Sequence, residues 1–181
     1  MKKLRFFSMV CMLALAIGSL TGCHKDENGN DNNNGSGSSG GGEGTVAEYV
    51  DLGLPSGTKW NSANETGGYN GFYTYGEAVN AFGDKLPTKE QLEELKENCT
   101  WVWQDNGGYK VTGPNGNSIV LPASGIRDCD GSVGGVGFGG YFWSSTLIDS
   151  GSAWGLCFGS GAVYMGNNSQ CSGLSVRLVQ D

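Results

Sequence analysis

Few residues in this chain are able to do covalent or metal chemistry. His24 is the only histidine, and it lies in the N-terminal segment, away from every other candidate. That removes Ser-His-Asp and Cys-His nucleophiles and histidine-based metal sites together. Cysteines stand at positions 11, 23, 99, 129, 157 and 171. No C-x-x-C pair occurs among them, so a four-cysteine zinc site lacks its usual spacing. Asp128 and Asp130 flank Cys129 in a loop, and they read as a solvated acidic loop rather than a calcium site. Glycines at 131, 134, 135, 137, 139 and 140 form a rich stretch. No helix start or lysine follows it, so phosphate cradling is not indicated. No catalytic group, metal or cofactor emerges, and the chain reads as non-enzymatic.

What remains is surface. Ala153-Trp154-Gly155-Leu156-Cys157-Phe158 alternates small residues with large apolar ones, and Ala162-Val163-Tyr164-Met165-Gly166 alternates in the same way. Period two predicts strands with Trp154, Leu156, Phe158, Val163 and Met165 inward. Exposed-type slots on and after these strands hold Gly155, Cys157, Gly159, Tyr164, Gly166, Asn167, Asn168, Ser169 and Cys171. No one chemistry unites these residues. A fixed frame carrying interchangeable side chains does, which points to a ligand-binding surface.

Elements that must position this surface are legible upstream. Tyr49 to Leu52 predicts an opening strand, and Tyr75 to Phe82 a short helix stopped by Gly83. Thr88 with Gln91 forms a capping box ahead of a helix running to Cys99, with Leu92, Leu95 and Cys99 on one stripe. Residues 101–103, 109–112 and 118–121 predict strands joined by Asn106-Gly107-Gly108 and Pro114-Asn115-Gly116-Asn117 turns. Residues 122–140 read as loop.

The first 22 residues combine basic Lys2, Lys3 and Arg5 with the apolar run Phe6 to Ile17, the pattern of a secretory signal. Leu20-Thr21-Gly22-Cys23 resembles the lipobox of bacterial lipoproteins, which makes Cys23 the acylated residue and the lipid a membrane anchor. The following Lys25-Asp26-Glu27 is similar to surface-export signals of Bacteroides-like lipoproteins. These features lead to the expectation of an outer-membrane, surface-exposed chain. Residues 23–44 then form a lipidated, Gly/Asn/Ser-rich tether and 45–181 one domain. Without the signal, eight basic residues face eighteen acidic ones, which argues against a nucleic-acid partner. Cys99, Cys129, Cys157 and Cys171 allow up to two disulfides in three pairings.

Four strings occur in order: Tyr49 to Trp60 (YVDLGLPSGTKW), Leu86 to Glu90 (LPTKE), Trp143 to Thr146 (WSST) and Gly173 to Arg177 (GLSVR). Together they resemble the Fibrobacter-type major paralogous domain. That resemblance implies an α+β, C-type lectin-like fold, two short helices on small mixed or antiparallel sheets with many loops. It also implies kinship with formylglycine-generating enzymes, whose closely spaced cysteine pair has no counterpart here. Calcium-binding lectin strings are likewise missing. Segment 143–179 is further similar to variable proteins of diversity-generating retroelements. That resemblance adds Ile148, Asp149, Gly151, Gly161 and Ser172 to the slots, and adenine mutagenesis of an Asn codon reaches every residue type in them. Trp143, Trp154, Leu156, Phe158, Val163, Met165, Val176 and Arg177 are then the frame. The partner expected is an unknown protein or glycan. A fixed glycan-binding or adhesin module is the alternative reading, and an enzyme of the formylglycine-generating type a third.

Overall fold

The computed structural model describes residues 48–181. Cys23, the signal-like segment and the tether lie outside the described residues. The chain opens with β1 (Tyr49–Asp51) and β2 (Lys59–Asn61). Helix α1 (Tyr75–Phe82) follows, then a 3-10 turn (Gly83–Lys85) and helix α2 (Lys89–Asn98). Strands β3 (Thr100–Trp103), β4 (Gly108–Thr112) and β5 (Ser118–Pro122) form a meander. After them come β6 (Ile126–Arg127), β7 (Val133–Gly134), β8 (Gly139–Leu147), β9 (Ser152–Gly159), β10 (Ala162–Ser169) and β11 (Val179–Gln180).

Both helices start where side chains can satisfy their free N–H groups. Gln91 N donates to Thr88 Oγ1 at 3.2 Å while Thr88 N donates to Gln91 Oε1 at 2.9 Å. Thr74 and Glu77 repeat the box on α1, and Thr74 N and Oγ1 both donate to Glu77 Oε2, which holds the Glu77 carboxyl below its ordinary range. Gly83, at φ 53°, ends α1 in a conformation that suits glycine. Leu92 and Leu95 are the residues that α2 buries.

Four small sheets result, ordered β1-β2-β11, β3-β4-β5, β6-β7 and β10-β9-β8. Every pairing between named strands is antiparallel. The last sheet lies between two apolar clusters. Its one face gives Phe142, Leu156 and Phe158 to a core with Trp60, Leu92 and Leu95. Its other face gives Trp143 and Ala153 to a second core with Tyr75, Leu86, Leu174 and Val176. Arg177 is 2% exposed and ties distant segments together. It donates to Asn64 Oδ1 (2.8 Å), Asn61 O (2.8 Å) and Val120 O (2.7 Å). Burial pulls its guanidinium down to about 10.

The architecture corrects the α+β, C-type lectin-like expectation. Among the described residues, eleven strands in four small sheets outweigh two α-helices of 8 and 10 residues. The fold is mostly β, and it is not clearly C-type lectin-like. Glycine- and asparagine-rich turns let the chain reverse every few residues, which favours many short strands over long helices. Residues 122–140, expected as loop, contain β6, β7 and the start of β8. Residues 143–146 also belong to β8, where a bulge between Trp143 and Leu147 breaks the alternation that would have disclosed a strand.

Candidate functional site

Side-chain size along the register of β8, β9 and β10 shapes one surface. One row across the sheet reads Gly139, Gly159, Ala162, and the next reads Tyr141, Cys157, Tyr164. The first row has no side chain larger than a methyl group, so it forms a trough with two tyrosines along one wall. Phe138 and Gly135, from the loop before β8, bound it elsewhere with Gly161 of the β9–β10 turn. The concavity is about 400 Å³, and no charged side chain lines it. Phe138 is 81% exposed and Tyr164 51%, so two aromatic rings stand free beside a bare backbone floor. Apolar surface with a few phenol hydroxyls is the usual composition of a binding site for a flat, uncharged group.

Electrostatics here oppose covalent chemistry. Burial pushes the Cys157 thiol up to about 11, so it stays protonated at neutral pH. Desolvation also raises the Tyr164 phenol, followed by its Cys157 and Tyr141 neighbours. Among the described residues no group of three or more His, Cys, Asp or Glu side chains is placed to hold a metal ion.

The fourteen expected slots divide. Ile148, Asp149, Gly151, Gly161, Tyr164, Asn167, Ser169 and Cys171 are exposed, and Gly159 and Gly166 half-buried. Gly155, Cys157, Asn168 and Ser172 are buried, which corrects their reading as outward slots. At Gly155 and Cys157 alternation fails because β9 is a central strand covered on both faces. A Cβ built on Gly155 would lie 2.8 Å from Phe142 O and 2.8 Å from Asn168 Nδ2, too close for any side chain. At Gly159 the nearest atom would be Phe138 O at 3.4 Å, and at Gly161 nothing lies within 4 Å. Those two positions accept side chains.

The exposed slots also fall at two ends of the hairpin. Gly159, Gly161 and Tyr164 line the trough. Asp149 and Gly151 cluster at the far end, where Gln170 N donates to Gly151 O at 3.0 Å and Gln170 Nε2 to Asp149 O at 3.2 Å. Asp149 Oδ1 accepts from Gly151 N and Ser152 Oγ, which holds its carboxyl below the ordinary range. Cys171 joins Cys129 in a disulfide at this end, so Cys171 does not pair with Cys157. Cys99 and Cys157 remain free thiols.

Phe138 and Tyr141 were missed from sequence. Tyr141 opens an aromatic run, Tyr141-Phe142-Trp143, directly after the glycines, and Phe138 is the one aromatic inside them. A larger concavity of about 480 Å³, between Tyr49, Asp84, Lys85 and residues 179–181, contains none of the expected slots.

Residues 99–179 match a family model described as a domain of unknown function (DUF8237). That match takes in the trough, the disulfide and Arg177. No curated protein and no solved structure matches the chain. Among the described residues no helix is long and apolar enough to cross a membrane.

Proposed function

We propose that this chain is a surface-displayed binding protein whose ligand surface is carried by residues 143–179. The observation that carries this reading is the trough beside Tyr164, where Gly159, Gly161 and Ala162 of that segment meet Phe138, Gly139 and Tyr141 from just before it, and the exposed Phe138 and Tyr164 rings border a floor of glycine backbone. Exposed tyrosine supplies large contact area at small entropic cost, which suits a binding anchor. Gly159 and Gly161 have room for side chains, so the same backbone can carry many different surfaces. Diversification by a retroelement belongs to this reading, with the exposed slots as its variable positions. A lipid on Cys23 anchors the chain at the outer membrane, facing outward, and the ligand is a protein or a glycan. No catalytic step is assigned.

One observation favours the second reading, a fixed glycan-binding or adhesin module. Four of the slots are packed in the interior, and random replacement at Gly155 would damage the fold. Sequencing the DNA around the gene separates the two. A near-copy of the stretch encoding 143–179 that differs only at its adenines, beside a reverse-transcriptase gene, supports diversification. A complete genome without such a copy moves the fixed module to first place.

A further inference from the structure

The β8-β9-β10 sheet has two edges, and the fold treats them differently. Along β8, Gly125 N donates to Gly139 O (2.8 Å), Ser175 N to Tyr141 O (2.9 Å) and Trp143 N to Ser175 O (3.1 Å). Residues 139, 141 and 143 thus bond outward, and Gly140 and Phe142 bond inward to Phe158 and Leu156. On β9 that leaves Gly155 and Cys157 for β10, opposite Gly166 and Tyr164. Val163, Met165 and Asn167 therefore turn their N–H and C=O groups away from the sheet. Among the described residues, no backbone group outside the sheet bonds to them.

Exposed edges are normally blunted by charge, proline or a bulge, because an open ladder recruits another strand. Strand β10 has none of these devices. Ala162 to Ser169 contains no charged residue and no proline, and its register with β9 runs unbroken over eight pairs. The trough crosses the sheet at right angles to the strands and opens at this same edge, over Ala162.

We propose that the β10 edge receives an extended segment of a partner protein as a fourth strand. An aromatic side chain of that segment lies over Ala162 and Gly159, beside Tyr164. This inference rests on the binding reading above and names the class of its ligand. Main-chain hydrogen bonds to an open edge provide affinity, and pockets for alternate side chains provide selectivity. Charge defines the rest of the partner. The trough lining is uncharged, which suits a neutral ring. At the Ser169 end, Asp128 and Asp130 flank Cys129, whose Sγ lies 3.9 Å from Ser169 Oγ, and Asp149 Oδ1 accepts from Ser152 Oγ, the residue paired with Ser169. Three aspartates at that end call for a lysine or arginine. Ala162 and Asn168 share a face and are about 20 Å apart along a strand rising ~3.3 Å per residue, so the aromatic and basic residues are about six positions apart. A second copy of this chain fits less well, because its own β10 brings no basic side chain to the aspartates.

The test is selection of a phage-displayed library of linear nine-residue peptides on the purified full chain. Enriched peptides are expected to alternate β-forming residues and to carry an aromatic and a basic residue about six positions apart. Asn167 has an exposed side chain and an outward N–H, a place where an edge strand tolerates proline. Asn167→Pro is expected to weaken the enriched peptides about tenfold or more, with melting almost unchanged. N-methylation of alternate peptide amides is expected to weaken them as much, and it leaves the protein untouched. Loss in both arms supports the inference. Loss on Tyr164→Ala, with Asn167→Pro and N-methylation silent, overturns the added strand and keeps the trough as a binding site. Peptides indifferent to all three changes overturn both readings. An absence of enriched peptides overturns the peptide partner and leaves the binding reading to a glycan. A concentration-dependent dimer in sedimentation, abolished by Asn167→Pro, gives the edge to a second copy and likewise overturns the proposal.

Discussion

Cys129 and Cys171, 42 residues apart in sequence, are joined by a disulfide with their Cα atoms 5.0 Å apart. The bond fastens the acidic loop at 128–130 to the turn after β10, so the end of the candidate surface is covalently held. Cys171 is also one of the exposed slots, which makes a structural link depend on a position read as variable.

Closing a loop of this length restricts the unfolded chain, and the double variant Cys129→Ser/Cys171→Ser is expected to lose about 3–4 kcal/mol of stability. Urea unfolding with and without reductant measures it. Reduction of the wild-type chain should match the double variant, and equal midpoints before and after reduction would contradict the expected contribution.

Gly155 and Gly161 make opposite predictions from one substitution. Gly155→Ser drives a side chain against Phe142 O and Asn168 and is expected to cost on the order of 2–3 kcal/mol through overpacking. Gly161→Ser enters open space and should stay within ~0.5 kcal/mol. Thermal melts of the two variants decide, and equal costs would remove the division of slots into permissive and packed.

The Cys157 thiol is raised from 9.0 to about 11, first by burial. A folded pKa above the unfolded one means the native state holds its proton longer. The associated stability is complete below pH 9 and is lost as pH rises toward 11. Cys157→Ala should flatten the fall in stability between pH 9 and 11 by roughly 2 kcal/mol. Denaturant titrations of both proteins across that window test it, and parallel slopes would refute the assignment.

Arg177→Lys is expected to destabilise by about 3 kcal/mol. A single ammonium cannot reach Asn61, Asn64 and Val120 in the forked geometry the guanidinium uses, and it leaves buried acceptors unpaired. Circular dichroism melts should show the loss, and a stability within 1 kcal/mol of wild type (roughly the net value of one hydrogen bond) would mean the three bonds are dispensable.

Tyr164→Ala should leave the fold intact, because the ring is half exposed, while weakening any ligand of the trough by about tenfold or more. A titration of whichever peptide or glycan is first found to bind measures this, and unchanged affinity would remove Tyr164 from the site.

Local signals in the sequence determined the local structure. Thr88 and Gln91 announced the start of α2, Gly83 the end of α1, and the two glycine-rich turns the β3-β4-β5 meander, because caps and turns depend on neighbours a few residues away. Only the tertiary structure decided which positions are surface. Gly155 and Cys157 look outward by alternation, yet Leu174 packs over Gly155 and Asn168 lies against Cys157, so both are buried. The trough is also non-local, since Phe138, Tyr141, Gly159 and Tyr164 meet only through the register of three strands. The pairing of Cys129 with Cys171 and the open edge of β10 have the same origin. Alternation shows that a strand has two faces, but what covers each face depends on residues far along the chain.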